Sequence, residues 1–168
     1  MALLAKIGYG QVEPNHLSAQ RTGQIYAQSP AVAAITALEN GMFLKVDPKT
    51  NESTAATTAT GEWMLVFNEV KLYNNAFEGY KDFRLTKEQA AGGVLIPRLF
   101  KTNIGDRFTT NLIDGTPALG AKLVPTKSGD VGILTVKAEP AAGEMVFEII
   151  KIYTMPDGQA GVKVVRTV

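Results

Sequence analysis

The stretch "EMVFEIIKIYTMPDGQAGVKVVRTV", residues 144–168, carries the clearest signal of the fold class. Two short apolar runs lie on either side of "MPDGQ", residues 155–159. Proline, aspartate and glycine favour tight turns because they preset or tolerate the backbone angles that turns need. The stretch therefore predicts a C-terminal β-hairpin.

Similar apolar runs continue at close spacing back to residue 42, with turn residues between them. They are MFLKVD (42–47), EWMLVFNEVKLY (62–73), VLIPRLF (94–100), DRFTTNLI (106–113), AKLVP (121–125) and VGILTVKA (131–138). The run 62–73 is apolar on both faces, so we expect it to be a long strand covered on both sides. Pro97 lacks an amide hydrogen and places its strand at a sheet edge or bulge.

The predicted core residues are Phe67, Val70, Val146, Ile150, Ile152 and Val164.

Two segments carry helical signals. "SPAVAAITALENG", residues 29–41, has a serine cap, a proline at the first helical position and an Asn-Gly stop. Its β-branched residues also allow a strand, and we favour a short helix. "LTKEQAAGG", residues 85–93, contains a Thr86-x-x-Gln89 capping box that predicts one helical turn.

These patterns predict a mainly β protein, with a single β-barrel or β-sandwich domain over residues 31–168 and one or two short helices. Residues 1–30 are expected to form an extended N-terminal arm. The tract 48–61, "PKTNESTAATTATG", has no large apolar side chain and is expected to be an exposed loop. We find no internal repeat.

Composition narrows the class of protein. The 168 residues are 45% hydrophobic and 20% charged, as in ordinary globular domains. The net charge is +1 without a basic block, which argues against nucleic acid as a partner. There is no cysteine, no signal-peptide pattern and no apolar run near the roughly 20 residues that span a bilayer. We therefore expect a protein made in the cytoplasm that has no membrane partner.

Motifs for catalysis are missing from the sequence. His16 is the sole histidine, and "GYGQVE" lacks the third glycine of a dinucleotide-binding loop. Aspartates beside glycine or proline are typical of tight turns. Five of the six aspartates are of this kind: Asp47, Asp106, Asp114, Asp130 and Asp157. The sequence thus predicts no catalytic residue, no metal site and no cofactor.

An aromatic cluster follows the long predicted strand. Tyr73, Phe77 and Tyr80 lie in one polar-flanked segment and could stack sugars or single-stranded bases. We favour the other interpretation, in which these rings anchor a loop onto the barrel. A carbohydrate-binding or adhesin module nevertheless remains an alternative function.

The opening segment 9–30 is rich in amides and poor in large apolar groups. Such a segment can be ordered by bonding to the sheet edge of a neighbouring subunit. We therefore interpret it as a docking arm for another subunit. The predicted contact residues are Gln11, His16, Gln20, Arg21, Gln24 and Tyr26.

The arm "GQVEPNHLSAQRTGQIYAQSP", the units "ENGMFLKVD" and "AGGVLIPRLF", and the run "FKTNIGDRFTTNLIDGTPALGAKLVP" resemble in organisation the capsid decoration, or head-stabilising, proteins of tailed bacteriophages. The resemblance implies a protein on the capsid surface of the virion, in symmetric clusters that clamp neighbouring shell subunits. It implies the major capsid protein as partner and a homo-oligomer as the assembly. A phage tail or connector subunit is a further alternative.

Overall fold

The computed structural model describes residues 8–18, 29–55, 61–68, 84–88 and 90–168. These residues form thirteen strands and one 3-10 helix, Ala91–Gly93. The strands are β1 (Val12–His16), β2 (Ala37–Leu38), β3 (Phe43–Val46), β4 (Ser53–Thr54), β5 (Met64–Val66), β6 (Leu85–Thr86), β7 (Leu99–Lys101), β8 (Arg107–Thr110), β9 (Ile113–Asp114), β10 (Lys122–Ser128), β11 (Val131–Val136), β12 (Phe147–Thr154) and β13 (Ala160–Arg166).

Eleven of these strands form one sheet that curls into a half-barrel. Its order is β1-β8-β13-β12-β10-β11-β3-β5-β7, with β4 paired to β3 and β9 paired to β11. The strands β2 and β6 form a separate pair. The predicted mainly β fold is confirmed. Pro97 lies two residues before the paired part of β7, which is the last strand of the sheet, as expected for an edge.

The C-terminal hairpin of β12 and β13 lies between β8 and β10 in the main sheet. The strands β12 and β13 pair from Phe147↔Arg166 to Thr154↔Ala160. Gly158, at φ 86°, completes the turn, where its N–H donates to the Met155 carbonyl over 2.8 Å. The predicted hairpin is therefore confirmed.

A β-bulge in β12 changes which isoleucines are buried. Ile149 pairs with Val164 and Lys151 pairs with Lys163, which leaves Ile150 as the extra residue. Ile149 is fully buried, Ile150 is half-buried, and Ile152 is 51% exposed. The prediction that Ile152 is a core residue was wrong, and Ile150 is only partly in the core. Simple alternation of apolar residues cannot reveal an inserted residue.

The first core cluster fills the curl of the sheet. The rings of Phe43, Phe108 and Phe147 pack with centroids 5.6–6.5 Å apart. Val164 is fully buried in this cluster, while Phe67 is half-buried and packs against it. Val146 is buried as predicted. Val70 lies outside the described residues.

A second core cluster covers the other face of β5. Trp63 and Leu65 belong to the first cluster, whereas Met64 and Val66 belong to the second. This arrangement confirms the prediction of a strand that is covered on both sides. The strand itself has three residues rather than twelve, and residues 69–73 lie outside the described part of the chain.

The predicted helix at residues 29–41 is wrong. Ala31 bridges to Ser53, and β2 pairs with β6 in extended conformation. Ile35 and Leu38 insert into the second core cluster, so burial decides the conformation against the helical signals. The Thr86 capping box is also wrong, because Thr86 ends β6 and the helical turn begins five residues later.

The predicted exposed loop 48–61 is wrong at its centre. Residues 47–52 are exposed, but Ser53 is fully buried and Ala55 is buried beside it. The N–H of Ser53 donates to the Pro30 carbonyl over 2.7 Å, and its carbonyl accepts from Val32 over 3.0 Å. Small side chains allow this close approach of two backbones. Residues 56–60 lie outside the described part of the chain.

Candidate functional site

The opening segment begins as an edge strand of the main sheet. The strand β1 pairs with β8 through Val12↔Thr110 and Glu13↔Thr109. Val12 and Leu17 are buried in the first core cluster. Pro14 lies within β1, which is compatible with an edge because the missing N–H breaks no ladder there. Residues 12–17 therefore belong to the β domain, which was predicted to begin at residue 31.

The approach to β1 requires a glycine. A Cβ on Gly10 would lie 2.3 Å from the Asn40 carbonyl oxygen, closer than any real contact. The N–H of Gly10 donates to the Glu39 Oε2 over 2.6 Å. This contact fixes the chain against residues 39–40 just before the strand begins.

A buried amide network holds the start of β1 to the C-terminal hairpin. The N–H of Gln11 donates to Asn111 Oδ1 over 2.6 Å, and Asn111 Nδ2 donates to Gln159 Oε1 over 2.8 Å. Both Gln11 Nε2 and Gln159 Nε2 donate to Asp157 Oδ2, over 3.1 and 2.5 Å. Asn111 is fully buried, and Gln159 is nearly so. The side-chain amide of Gln11 thus forms a bond within the chain.

A second anchor lies just beyond the end of β1. Asp106 is buried and accepts hydrogen bonds from the N–H and Oγ of Ser18, over 3.1 and 2.9 Å. It also accepts from the N–H of Asn103 over 2.9 Å, and Asn103 Nδ2 donates to Ser18 Oγ over 2.5 Å. This cluster, the Asp106 corner, joins the opening segment to the turn before β8. The predicted turn role of Asp106 is confirmed by its bond to Asn103. The structure adds a long-range contact between Asp106 and Ser18.

Of the remaining predicted contact residues, the structure describes His16 but not the other four. His16 is exposed at the end of β1, where it pairs with Arg107. Gln20, Arg21, Gln24 and Tyr26 lie outside the described residues. The chain enters their segment at Ser18 and leaves it at Ser29, which is buried and donates through Oγ to Asn51 Oδ1 over 3.2 Å. Segment 19–28 therefore connects two anchored points of the domain.

The predicted aromatic surface cannot be placed on the fold. Tyr73, Phe77 and Tyr80 lie outside the described residues. Among the described aromatic residues, Tyr153 lies on the outer face of the central strands. Lys151 Nζ and Lys163 Nζ lie 5.8 and 5.5 Å from the centroid of its ring. The negative charge of Glu13 raises the pKa of the Tyr153 hydroxyl.

A shallow cleft of about 460 Å³ lies beside the start of β12. Its described lining includes Lys122, Pro140, Val146 and Thr167, and none of the described residues lining it is aromatic. Glu144 lies in its wall, where both carboxylate oxygens accept from Lys137 Nζ over 2.6 and 2.8 Å. Oε2 also accepts from the N–H of Ala141 over 2.6 Å. Through these bonds Glu144 holds the two ends of the loop before β12 together.

The Lys137 ammonium lowers the pKa of Glu144, and the Ala141 N–H acts in the same direction against the opposing effect of burial. A carboxylate with a lowered pKa stays ionised at neutral pH and is a poor proton donor. Its geometry and charge therefore suit a structural role.

The described part of the chain contains no group of three His, Cys, Asp or Glu residues able to hold a metal ion. Within the same residues, no helix is long and apolar enough to cross a membrane.

Sequence reasoning missed the partners that hold the opening segment. Asn111, Asp157 and Asp106 accept most of these bonds, and the two aspartates were singled out only as turn residues. A signal existed at Asn111, because an amide inside the apolar run "DRFTTNLI" needs a buried hydrogen-bond partner.

Comparison with known proteins identifies no relative: no protein-family model matches the sequence, and no curated protein or solved structure matches it.

Proposed function

We propose that this protein is a virion structural protein that binds the outside of a bacteriophage capsid and stabilises the shell by clamping neighbouring subunits. The observation that supports this proposal is the anchoring of segment 19–28 at both ends. Ser18 is bound at the Asp106 corner and Ser29 is bound at Asn51. Four of the six predicted contact residues lie between these two points.

Anchoring at both ends favours a docking role for energetic reasons. A segment whose ends are already fixed loses less conformational entropy on binding than a free tail does. Amide side chains can then bond to a partner's backbone without carrying charge into the interface. Each such bond contributes about 0.5–1.5 kcal/mol, and repetition over many copies on a shell turns weak contacts into tight attachment.

Two of the three buried carboxylates among the described residues, those of Asp106 and Glu144, agree with a structural protein. Asp106 binds three donors that close a corner, and Glu144 binds Lys137 and a loop amide. Each of them stabilises a connection of the chain.

The proposal is tested by sedimentation with capsid shells. The probe is a shell of the major capsid protein of the phage that, on this proposal, encodes the chain, purified without this protein. We expect the full chain to pellet with these shells at a saturable ratio. A chain that stays in the supernatant at every concentration would overturn the proposal.

Matched variants locate the contact. The combined change Gln20→Ala, Arg21→Ala, Gln24→Ala and Tyr26→Ala should weaken binding to the shell at least tenfold. The control changes Lys127→Ala and Ser128→Ala, at the exposed end of β10, and Asp130→Ala, in the turn that follows it, should leave binding unchanged. Equal binding by both variants would show that segment 19–28 is not the docking element.

A further inference from the structure

Among the residues that the structure describes, no strand pairs with the outer edge of β12 beyond its bulge. The strand β12 pairs with β10 only through Lys122↔Glu148 and Leu123↔Phe147. Two more backbone bonds follow, in which Gly120 N–H donates to the Ile149 carbonyl and Ile149 N–H donates to the Ala121 carbonyl. The chain then turns away, where Ala121 N–H donates to the Ala118 carbonyl over 3.0 Å. Residues 150–154 therefore have β13 on one side and no described strand on the other.

The backbone alternation shows which polar groups face this open edge. Met155 N–H donates to the Gln159 carbonyl over 2.8 Å, so the N–H and C=O groups of Tyr153 and Lys151 point toward β13. In an antiparallel pair the intervening residues point the other way. Ile152 and Thr154 thus present their N–H and C=O groups along the open edge.

Prolines lie at three other margins of the main sheet but not at this one. Pro14 lies in β1, Pro97 precedes β7, and Pro125 lies in β10 just beyond its last pair with β12. Proline at an edge removes a donor and discourages further pairing. The strand β12 contains no proline from Phe147 to Thr154.

Two exposed apolar side chains lie near the open edge. Ile152 is 51% exposed, and Leu119, in the turn where β10 leaves β12, is 72% exposed. Burying an exposed isoleucine against a second one would add a hydrophobic contribution to backbone pairing.

We propose that two copies of this chain pair through this edge, antiparallel and centred on Ile152, to form a two-fold symmetric dimer. In that register Ile152 lies opposite the partner's Ile152 in a hydrogen-bonded pair, as its outward N–H and C=O groups require. Lys151 then lies opposite the partner's Tyr153. Lysine and tyrosine already contact each other on this face within one chain, and no two like charges lie directly opposite.

This assembly does not depend on the proposed binding to capsids. It supplies an interface for the homo-oligomer that the resemblance implies, and each chain can pair whether or not a shell is present.

The test is the mass of the full chain in solution by sedimentation equilibrium over a range of concentrations. We expect the wild-type chain to approach twice the 18.0 kDa of one chain as concentration rises. The change Ile152→Lys would place two ammonium groups opposite each other and should raise the dissociation constant at least tenfold. The control Ile104→Lys alters an isoleucine that is 72% exposed, outside β12, and should dimerise like the wild type.

Crosslinking gives a second readout that does not rely on weakening the dimer. The chain has no cysteine, so Ile152→Cys introduces a single thiol. Opposed Cα atoms in a hydrogen-bonded antiparallel pair lie about 5.5 Å apart, within the range of a disulfide. Oxidation should link two chains of this variant, and an Ile104→Cys control should link far less.

A wild-type chain that remains a monomer at all concentrations would overturn the proposal. So would an Ile152→Lys chain that dimerises like the wild type, or crosslinking at residue 152 no faster than at residue 104. A monomer that still pellets with shells would reject the dimer and leave the proposed function standing.

Discussion

Asp106 stabilises the point where the opening segment meets the turn before β8. Its buried carboxylate accepts from the backbone and hydroxyl of Ser18 and from the backbone of Asn103. Asp106→Ala would leave these donors without their acceptor, and we expect a loss of about 2–4 kcal/mol in the free energy of unfolding. Urea denaturation measures it. Asp130→Ala, at an exposed turn, should change the stability by less than about 0.5 kcal/mol, and equal effects would contradict the role of the Asp106 corner.

Adjacent isoleucines in β12 provide a test of the bulge. Ile149→Ala should cost about 2–5 kcal/mol because it opens a cavity in the first core cluster. Ile150→Ala should cost clearly less, since that side chain is only half-buried. Both variants are compared by denaturant unfolding under identical conditions. A larger loss at residue 150 would mean that the bulge is placed wrongly.

Glu144 should make stability depend on pH in the acid range. Because its pKa is lowered in the folded chain, the unfolded state binds the proton more readily. The stabilisation is present above the unfolded pKa of about 4.3 and is lost as the pH falls through the lower folded pKa.

Denaturation curves of the wild type and Glu144→Gln between pH 7 and pH 3 measure this effect. The difference in unfolding free energy between them should shrink as the pH falls below about 5. A difference that stays constant over this range would exclude the ionised carboxylate as its source.

The strand β1 makes the start of the opening segment part of the fold. Removing residues 1–18 deletes the partner of β8 and takes Val12 and Leu17 out of the core. We expect the melting temperature to fall by many degrees, whereas removal of residues 1–7 alone keeps every described contact of β1 and should change it little. Calorimetry of both truncated chains measures the two melting temperatures. If the chain without residues 1–18 melts like the wild type, β1 does not contribute to the stability of the fold.

Elements with a strong local signal were predictable from the sequence. The hairpin of β12 and β13 follows from two apolar runs around Pro156-Asp157-Gly158, and its existence needed no tertiary information. The segment 29–41 was not predictable in this way, because its helical signals are weak compared with the burial of Ile35 and Leu38. Ser53 illustrates the same limit, since its burial depends on the Pro30 backbone more than twenty positions away.

At the scale of the whole molecule, the sequence predicted a mainly β fold but not the way its opening segment attaches. Gln11 was expected to contact a partner, and the structure places its amide in a network with Asn111, Gln159 and Asp157. Asn111 and Asp157, which bond directly to Gln11, lie 100 and 146 positions along the chain from it, and local patterns carry no information about such pairs. The residues proposed to contact a shell, Gln20, Arg21, Gln24 and Tyr26, remain predictions.

Electron cryomicroscopy of capsid shells after incubation with the purified chain tests the proposed function most directly. We expect additional density on the outer surface of the shell, into which the half-barrel sheet fits with Ser18 and Ser29 turned toward the boundary between neighbouring capsid subunits. Shells with a bare outer surface at saturating protein, or density found only at a tail or portal ring, would contradict it.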